Sequence, residues 1–290
     1  MTEAGSPASQ RARAATGLTS DEGARREGAA SSAPGGERGI GVVVGATGTI
    51  GQAVIRRLTG RGLPVLAVAR GRDDLDKLAA ADELVTPCPA DIGSNDAIGA
   101  IGSALAGLDG LHGPVRMAVF AAGLPVRGSA DTIDPDALAV GSNIKVGGLL
   151  RLLHAVRDRL VPGSRFVTFA GSLGLEPRAH EAGPGAVNAA VFNLMRQISL
   201  LYGPRGVTTH TLSPGPADTP RLRRIVAAVA AERGAAEEDV WQEYVAQNSL
   251  GRLPTADELA WAVEMLLAPE ASILHGSVLH LDAGGHRGIG

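Results

Sequence analysis

From Gly39 onward, strand-length runs of apolar and β-branched residues alternate with helix-length amphipathic stretches. Strand runs stand at residues 40–44, 65–69, 117–120, 165–169, 207–212 and 278–281. Helix patterns stand at 50–58, 74–81, 97–108, 136–159, 185–202, 221–231, 237–247 and 255–267. In such an alternation each strand is followed by a crossover, so the strands run parallel and helices cover both faces of the sheet. The pattern predicts a three-layer α/β/α sandwich on a doubly wound, mostly parallel sheet; seven strands are expected, one more than the six runs just named. The expected strand order is 3-2-1-4-5-6-7, with a ligand crevice outside the strands' C-terminal ends where the order reverses.

Residues 1–38 have another texture. Ala, Gly, Ser, Glu, Arg and Pro dominate, and large apolar side chains are nearly absent. Such a segment buries too little surface to offset its ordering entropy, so it reads as a disordered tail. Residues 39–290 then form one domain. Cys88 is the only cysteine, which excludes an intrachain disulfide and a multi-Cys metal site. A formal net charge of −3 argues against nucleic acid or an anionic membrane as partner. No apolar run reaches the roughly 18 residues of a membrane-spanning helix. The arginines near the start, Arg11, Arg13, Arg25 and Arg26, precede no apolar stretch of the kind a secretory signal needs. The expectation is a cytoplasmic protein whose partner is a small molecule.

The turn after the first strand narrows that partner. Gly45-Ala46-Thr47-Gly48-Thr49-Ile50-Gly51 closes the strand and opens the first helix. A tight glycine turn there points backbone N–H groups and a helix N-terminus at a pyrophosphate. The second strand ends at Arg70, 19 residues beyond Gly51. An NAD-selective site places Asp or Glu near that point to bind the ribose 2′-hydroxyl. A guanidinium instead suits a 2′-phosphate, by charge and by bidentate geometry. The expected cofactor is therefore NADP(H).

Several further segments carry a family resemblance. They are Asp91-Ile92, Ala122-Gly123, Gly171-Ser172 after a strand, and the loop Ser213-Pro214-Gly215-Pro216-Ala217-Asp218-Thr219. The C-terminal segments Leu250-Gly251-Arg252 and Leu281-Asp282-Ala283-Gly284-Gly285 complete the set. With the glycine turn, they resemble the short-chain dehydrogenase/reductase family over residues 39–285. The resemblance implies a Rossmann-like fold and assigns expected roles. Gly45, Thr47, Gly48, Thr49, Ile50 and Gly51 hold the pyrophosphate, Asp91 and Ile92 border the adenine, and Ala121, Ala122 and Gly123 line the crevice. Pro214, Gly215 and Thr219 lie at the nicotinamide, Ser172 orients the substrate carbonyl, and Asn143 holds a proton-relay water. Residues 216–249 form a lid, and helix 186–201 pairs subunits into a homodimer or homotetramer. Val44 before the first glycine, the Gly-x-x-Gly-x-x-Gly spacing and Phe120-Ala121 depart from the usual pattern.

The largest departure concerns the acid. In the family a Tyr protonates the carbonyl oxygen and a Lys four residues later lowers its pKa. Counting from Ser172 puts those positions at Pro184 and Asn188. The chain holds two tyrosines, Tyr202 and Tyr244, and two lysines, Lys77 and Lys145, and no Tyr-x-x-x-Lys. Asn188 brings no charge, yet its amide can bond a ribose hydroxyl. His180, eight residues after Ser172, has the pKa range for acid work at neutral pH. Lys145 lies two residues after Asn143 on another helix face, so the two are not expected to aim at one place. Tyr202 is expected to pack, and Tyr244 and Trp241 either line a pocket or pack the lid.

Three functions remain in view. One is an NADP(H)-dependent ketoreductase or dehydrogenase acting on an activated carbonyl, with Ser172, His180 or water as proton source. Another is a non-redox dehydratase, isomerase or cyclase. The last is a non-catalytic NADP(H)-binding protein.

Overall fold

The protein is described here by a computed structural model over residues 39–107, 113–124 and 126–288. The expected tail, residues 1–38, lies outside the described residues, as does Leu108 at the end of one expected helix. The strands are β1 (Ile40–Val44), β2 (Val65–Ala69), β3 (Val85–Pro89), β4 (Val115–Phe120), β5 (Arg165–Phe169), β6 (Thr208–Pro214) and β7 (Val278–Leu281). They form one sheet in the order β3-β2-β1-β4-β5-β6-β7, and all six pairings are parallel. The reversal falls between β1 and β4, where a crevice opens.

Helices α1 (Thr49–Thr59), α2 (Arg72–Ala81) and α3 (Asp96–Ala106) follow the first three strands. Then come α4 (Pro135–Ser142), α5 (Gly148–Val156), α6 (Ala182–Tyr202), α7 (Pro220–Arg233), α8 (Glu237–Val245) and α9 (Ala256–Met265). Strand alternation splits β1 between two apolar layers. Val42 and Val44 pack with Phe120, Leu149, Leu152 and Val191 on one face. Val43 packs with Val54, Leu58, Leu259 and Val263 on the other.

Two features differ from the pattern reading. The strand run it does not name is Val85–Pro89, which carries Pro87 and Pro89. Proline cannot serve a central ladder, but β3 is an edge strand pairing only with β2, where a missing N–H is tolerated. The single helix expected over 136–159 is instead α4, one π-helical turn at Asn143–Gly147, α5 and a 3₁₀ turn at Arg157–Arg159. A π turn holds an extra residue, so it rotates the side chains that follow relative to a regular helix. Gly148 lets α5 lie close on the sheet, since a Cβ there would meet the Phe120 ring and Ile92 at 3.1 Å.

The apolar stripe of α6 also divides. Val187, Val191 and Ile198 are buried in the domain, whereas Leu201 is 68% exposed beside Leu200 at 64%. Among the described residues no helix is long and apolar enough to cross a membrane.

Candidate functional site

Gly45 takes φ +84° at the end of β1, a conformation that favours glycine. A Cβ there would meet the Ala121 backbone at 2.8 Å, and a Cβ on Gly51 would meet the Gly45 carbonyl oxygen at 2.1 Å. The turn is thus closed against both β4 and α1. Gly48 caps α1 without a side-chain bond, and no acidic residue stands in the first turn. The first amides of α1 therefore point outward with the positive end of the helix dipole.

A cavity of about 670 Å³ lies over this turn. Gly45, Thr47, Gly48, Arg70, Asp91, Ile92, Ala121, Ala122 and Gly123 line it. Thr49 and Gly51 are not in its wall; they build the turn and the first helical residues instead. Four arginines, Arg70, Arg127, Arg221 and Arg224, face one carboxylate, Asp91. Asp91 Oδ1 accepts from the Gly93 amide at 2.9 Å. Arg221 is held in place by donating to the Leu124 carbonyl. The glycine cradle, the uncapped helix start and the excess of guanidinium fit a dinucleotide's phosphates.

A second cavity of about 500 Å³ continues from the first, sharing Ala121, Ala122, Gly123, Arg127, Arg221 and Ile225. Ser172, His180, Asn188, Pro214, Gly215 and Ile50 line it, together with Tyr244 of the lid. Ser172 opens a 3₁₀ turn directly after β5. His180 is exposed on the following loop, while Asn188 is 6% exposed on α6. Pro184 lines the same wall from the first turn of α6, where a missing N–H costs nothing. Arg178 ties this loop to the lid by donating to Gln247 Oε1 at 2.7 Å. Thr219 is not in the wall; its hydroxyl caps α7 by accepting from the Leu222 amide. Trp241 packs within the lid under Arg223, 4.6 Å from the guanidinium, and Tyr202 is buried in the core.

The helix after β4 delivers a different residue from the one the family resemblance suggests. Asn143 and Lys145 do face different ways, but Lys145 is the one that enters the cavity. Asn143 is exposed, donates to the Gly93 carbonyl at 2.8 Å and accepts from Arg151 at 2.7 Å. It lines neither cavity. Lys145, 5% exposed, donates to the Ala122 carbonyl at 3.0 Å and lies 5.6 Å from the Phe120 ring centroid. Burial first, and then the Arg221 charge, push its ammonium down to about 8. Sequence spacing treats this stretch as a regular helix and has no signal for the π turn. The lone lysine in the run Ile144 to Leu153, apolar apart from it and Arg151, was the available hint. Arg127, Arg221 and Arg224 were likewise invisible, because they reach the cleft from a loop and the lid.

Residues 45–286 match the family model described as enoyl-(acyl carrier protein) reductase. The chain is 30% identical over 252 residues to cis-4-hydroxycyclohexanecarboxylate dehydrogenase of Sinomonas cyclohexanicum, covering 84% of this chain and 95% of that one. It is 26% identical over 251 residues to the short-chain reductase protein NovJ of Streptomyces niveus, covering 86% and 94%. Among solved structures, YwfH, described as an NADPH-dependent reductase involved in bacilysin biosynthesis, superposes with a TM-score of 0.78 at 18% identity, covering 87% of this chain and all (100%) of that one. A short-chain dehydrogenase/reductase from Brucella melitensis does so at 0.73 and 22%, covering 87% and 98%.

Proposed function

Given that the chain belongs to the short-chain dehydrogenase/reductase family, a family of nicotinamide-dependent oxidoreductases, we propose that it uses NADP(H) to reduce an activated carbonyl. The substrate class we infer is an enone, a quinone or a polyketide-type secondary metabolite. The observation that carries the cofactor choice is the set of four arginines against one carboxylate in the cavity over the glycine turn. Arg70 stands at the end of β2 with no ion pair or hydrogen bond to another described residue, so its guanidinium is available to a 2′-phosphate. Arg127, Arg221 and Arg224 supply the field for the remaining phosphates.

In this reading Gly45, Gly48 and the first turn of α1 hold the pyrophosphate, and Pro214 and Gly215 border the nicotinamide, with Thr219 behind them. NADPH, when bound, supplies hydride. Ser172 donates a hydrogen bond to the substrate carbonyl, and Asn188 bonds a ribose hydroxyl. An electron-poor carbonyl lessens the demand on the acid, because the charge that develops is delocalised. The names of two similar proteins, the short-chain reductase NovJ and YwfH, an NADPH-dependent reductase involved in bacilysin biosynthesis, lend support. We further place the protein in the cytoplasm, as a homodimer or homotetramer joined through the exposed Leu200 and Leu201 of α6.

Titration of the purified protein with NADPH and NADH, followed by nicotinamide fluorescence, tests the cofactor. Mixing the NADPH-loaded protein with a quinone and enone panel tests the chemistry. Tight NADPH binding with loss of the nicotinamide absorbance supports the reading. Equal affinity for both cofactors sinks the NADP(H) assignment. Pro184, at the place where the family carries its acid, favours the non-redox alternative, and substrate turnover at constant nicotinamide absorbance would establish it.

A further inference from the structure

The cavity beside Ser172 holds a buried ammonium that no carboxylate balances. Lys145 Nζ has three donors, and one of them bonds the Ala122 carbonyl. No other hydrogen bond and no ion pair joins Nζ to a described residue. Its charged neighbour is Arg221, of the same sign. A buried, uncompensated ammonium is expensive, and positions that keep one are enriched in functional sites. The residue reaches the cavity through a π turn, a distortion that recurs at functional sites. Gly148 then seats α5 against Phe120, which brings Nζ to the Ala122–Gly123 wall that both cavities share.

We propose that Lys145 is the acid of this site, giving a proton from its ammonium to the oxygen of the substrate carbonyl. This rests on the redox reading above. As the carbonyl carbon accepts hydride, the π electron pair moves onto oxygen, an Nζ–H bond breaks and an O–H bond forms. The carbonyl is reduced by two electrons, with the reduced nicotinamide as reductant. Lys145 is left as the neutral amine and regains its proton from water. The lowering of its pKa to about 8 by burial and Arg221 brings the group toward the working pH, where an acid transfers its proton most readily. Asn188, in the same wall, supplies an amide where no second charge is needed. His180, by contrast, is exposed on a loop.

The sequence offers a clean probe, because the only other lysine, Lys77, is exposed on α2 and paired with Asp74 at 2.8 Å. Protein labelled with ¹³C at lysine Cε yields two side-chain signals, assigned with Lys77→Arg. NADPH is expected to shift the Lys145 signal and leave that of Lys77 in place. In single-turnover mixing of NADPH-loaded protein with 9,10-phenanthrenequinone, Lys145→Met should slow hydride transfer roughly 10- to 100-fold, at or below the low end for a general acid because the quinone delocalises the developing charge. Its fold is checked by circular dichroism, and its NADPH affinity by fluorescence. The wild-type rate should fall as pH rises through the Lys145 midpoint read by NMR, and Lys145→Met should lack that limb. Arg127 and Arg221 bring further charge to the cavity wall. His180, Glu181 and Tyr244 also line the cavity, so His180→Ala and Tyr244→Phe should each retain the limb. A Lys145 signal unmoved by NADPH, or a Lys145→Met rate within threefold of wild type, overturns the assignment while wild-type turnover keeps the redox reading standing. Absence of NADPH oxidation by the wild-type protein overturns both.

Discussion

The glycine turn between β1 and α1 and the pocket floor around Lys145 stand at neighbouring stretches of one cleft, yet they are made by contrasting means. The turn works through the backbone: a glycine at positive φ, an uncapped helix start and close approaches that exclude any Cβ. Its side chains matter little. The floor works through side chains drawn from separate elements: Ser172 after β5, Asn188 on α6, Lys145 in a π turn, and Arg221 at the head of the lid. The first region is a local device and tolerates divergence around it. The second depends on how distant segments are packed, so its chemistry can move from one element to another while the fold is kept.

Substitutions that separate the two regions sharpen this contrast. The largest effect is expected at the turn. Gly51→Val places a Cβ against the Gly45 carbonyl, with a cost at or above the upper end of the roughly 1–3 kcal/mol typical of overpacking. NADPH binding should be lost in fluorescence titration together with a drop in melting temperature; retained tight binding would break the assignment of the turn. Lys145→Met should act in the opposite direction on stability. The folded-state pKa near 8 lies below the ordinary 10.5, so the unfolded chain binds more protons between those values and stability rises with pH across that window. Below pH 8 the buried ammonium costs the fold roughly 3 kcal/mol. The variant should therefore melt higher at pH 7, and its advantage should shrink as pH climbs toward 10.5. A lower melting temperature at pH 7 would contradict the buried, unbalanced charge.

Arg70→Ala should remove a charge-assisted contact of about 1.5–3 kcal/mol from NADPH, roughly 10- to 100-fold in affinity, while NADH is nearly unaffected. Parallel titrations decide it, and equal weakening would mean that Arg70 does not read the 2′-phosphate. Asn143→Ala is the mildest. It breaks side-chain bonds to Gly93 and Arg151 and should lower stability by about 1 kcal/mol. Its effect on hydride transfer should be far smaller than that of Lys145→Met; a comparable loss would return Asn143 to the site.

Much of the architecture was legible in the sequence. The β–α alternation, the glycine turn and the Arg at the end of β2 are local patterns, each set by residues near in sequence. The strand carrying Pro87 and Pro89 was not, because its tolerance for proline comes from standing at the sheet edge. The division of α6 between core and surface was also hidden, since Val187 and Leu201 look alike until their neighbours are known. Ser172, expected from the resemblance, and His180, expected from its loop eight residues on, both line the second cavity.

What the sequence alone determined, then, is the order of elements, the glycine turn between β1 and α1 and the absence of a Tyr-x-x-x-Lys pair. These follow from short-range periodicity and from residue identity. Only the tertiary structure decided which helix residue faces the cavity. A π turn shifts the angular phase of everything beyond it, and whether that turn forms depends on how α5 seats against Phe120 and Ile92, contacts separated by many residues along the chain. Packing thus turned Asn143 toward Gly93 and Arg151 and carried Lys145 into the cavity, a choice that spacing along an ideal helix cannot express.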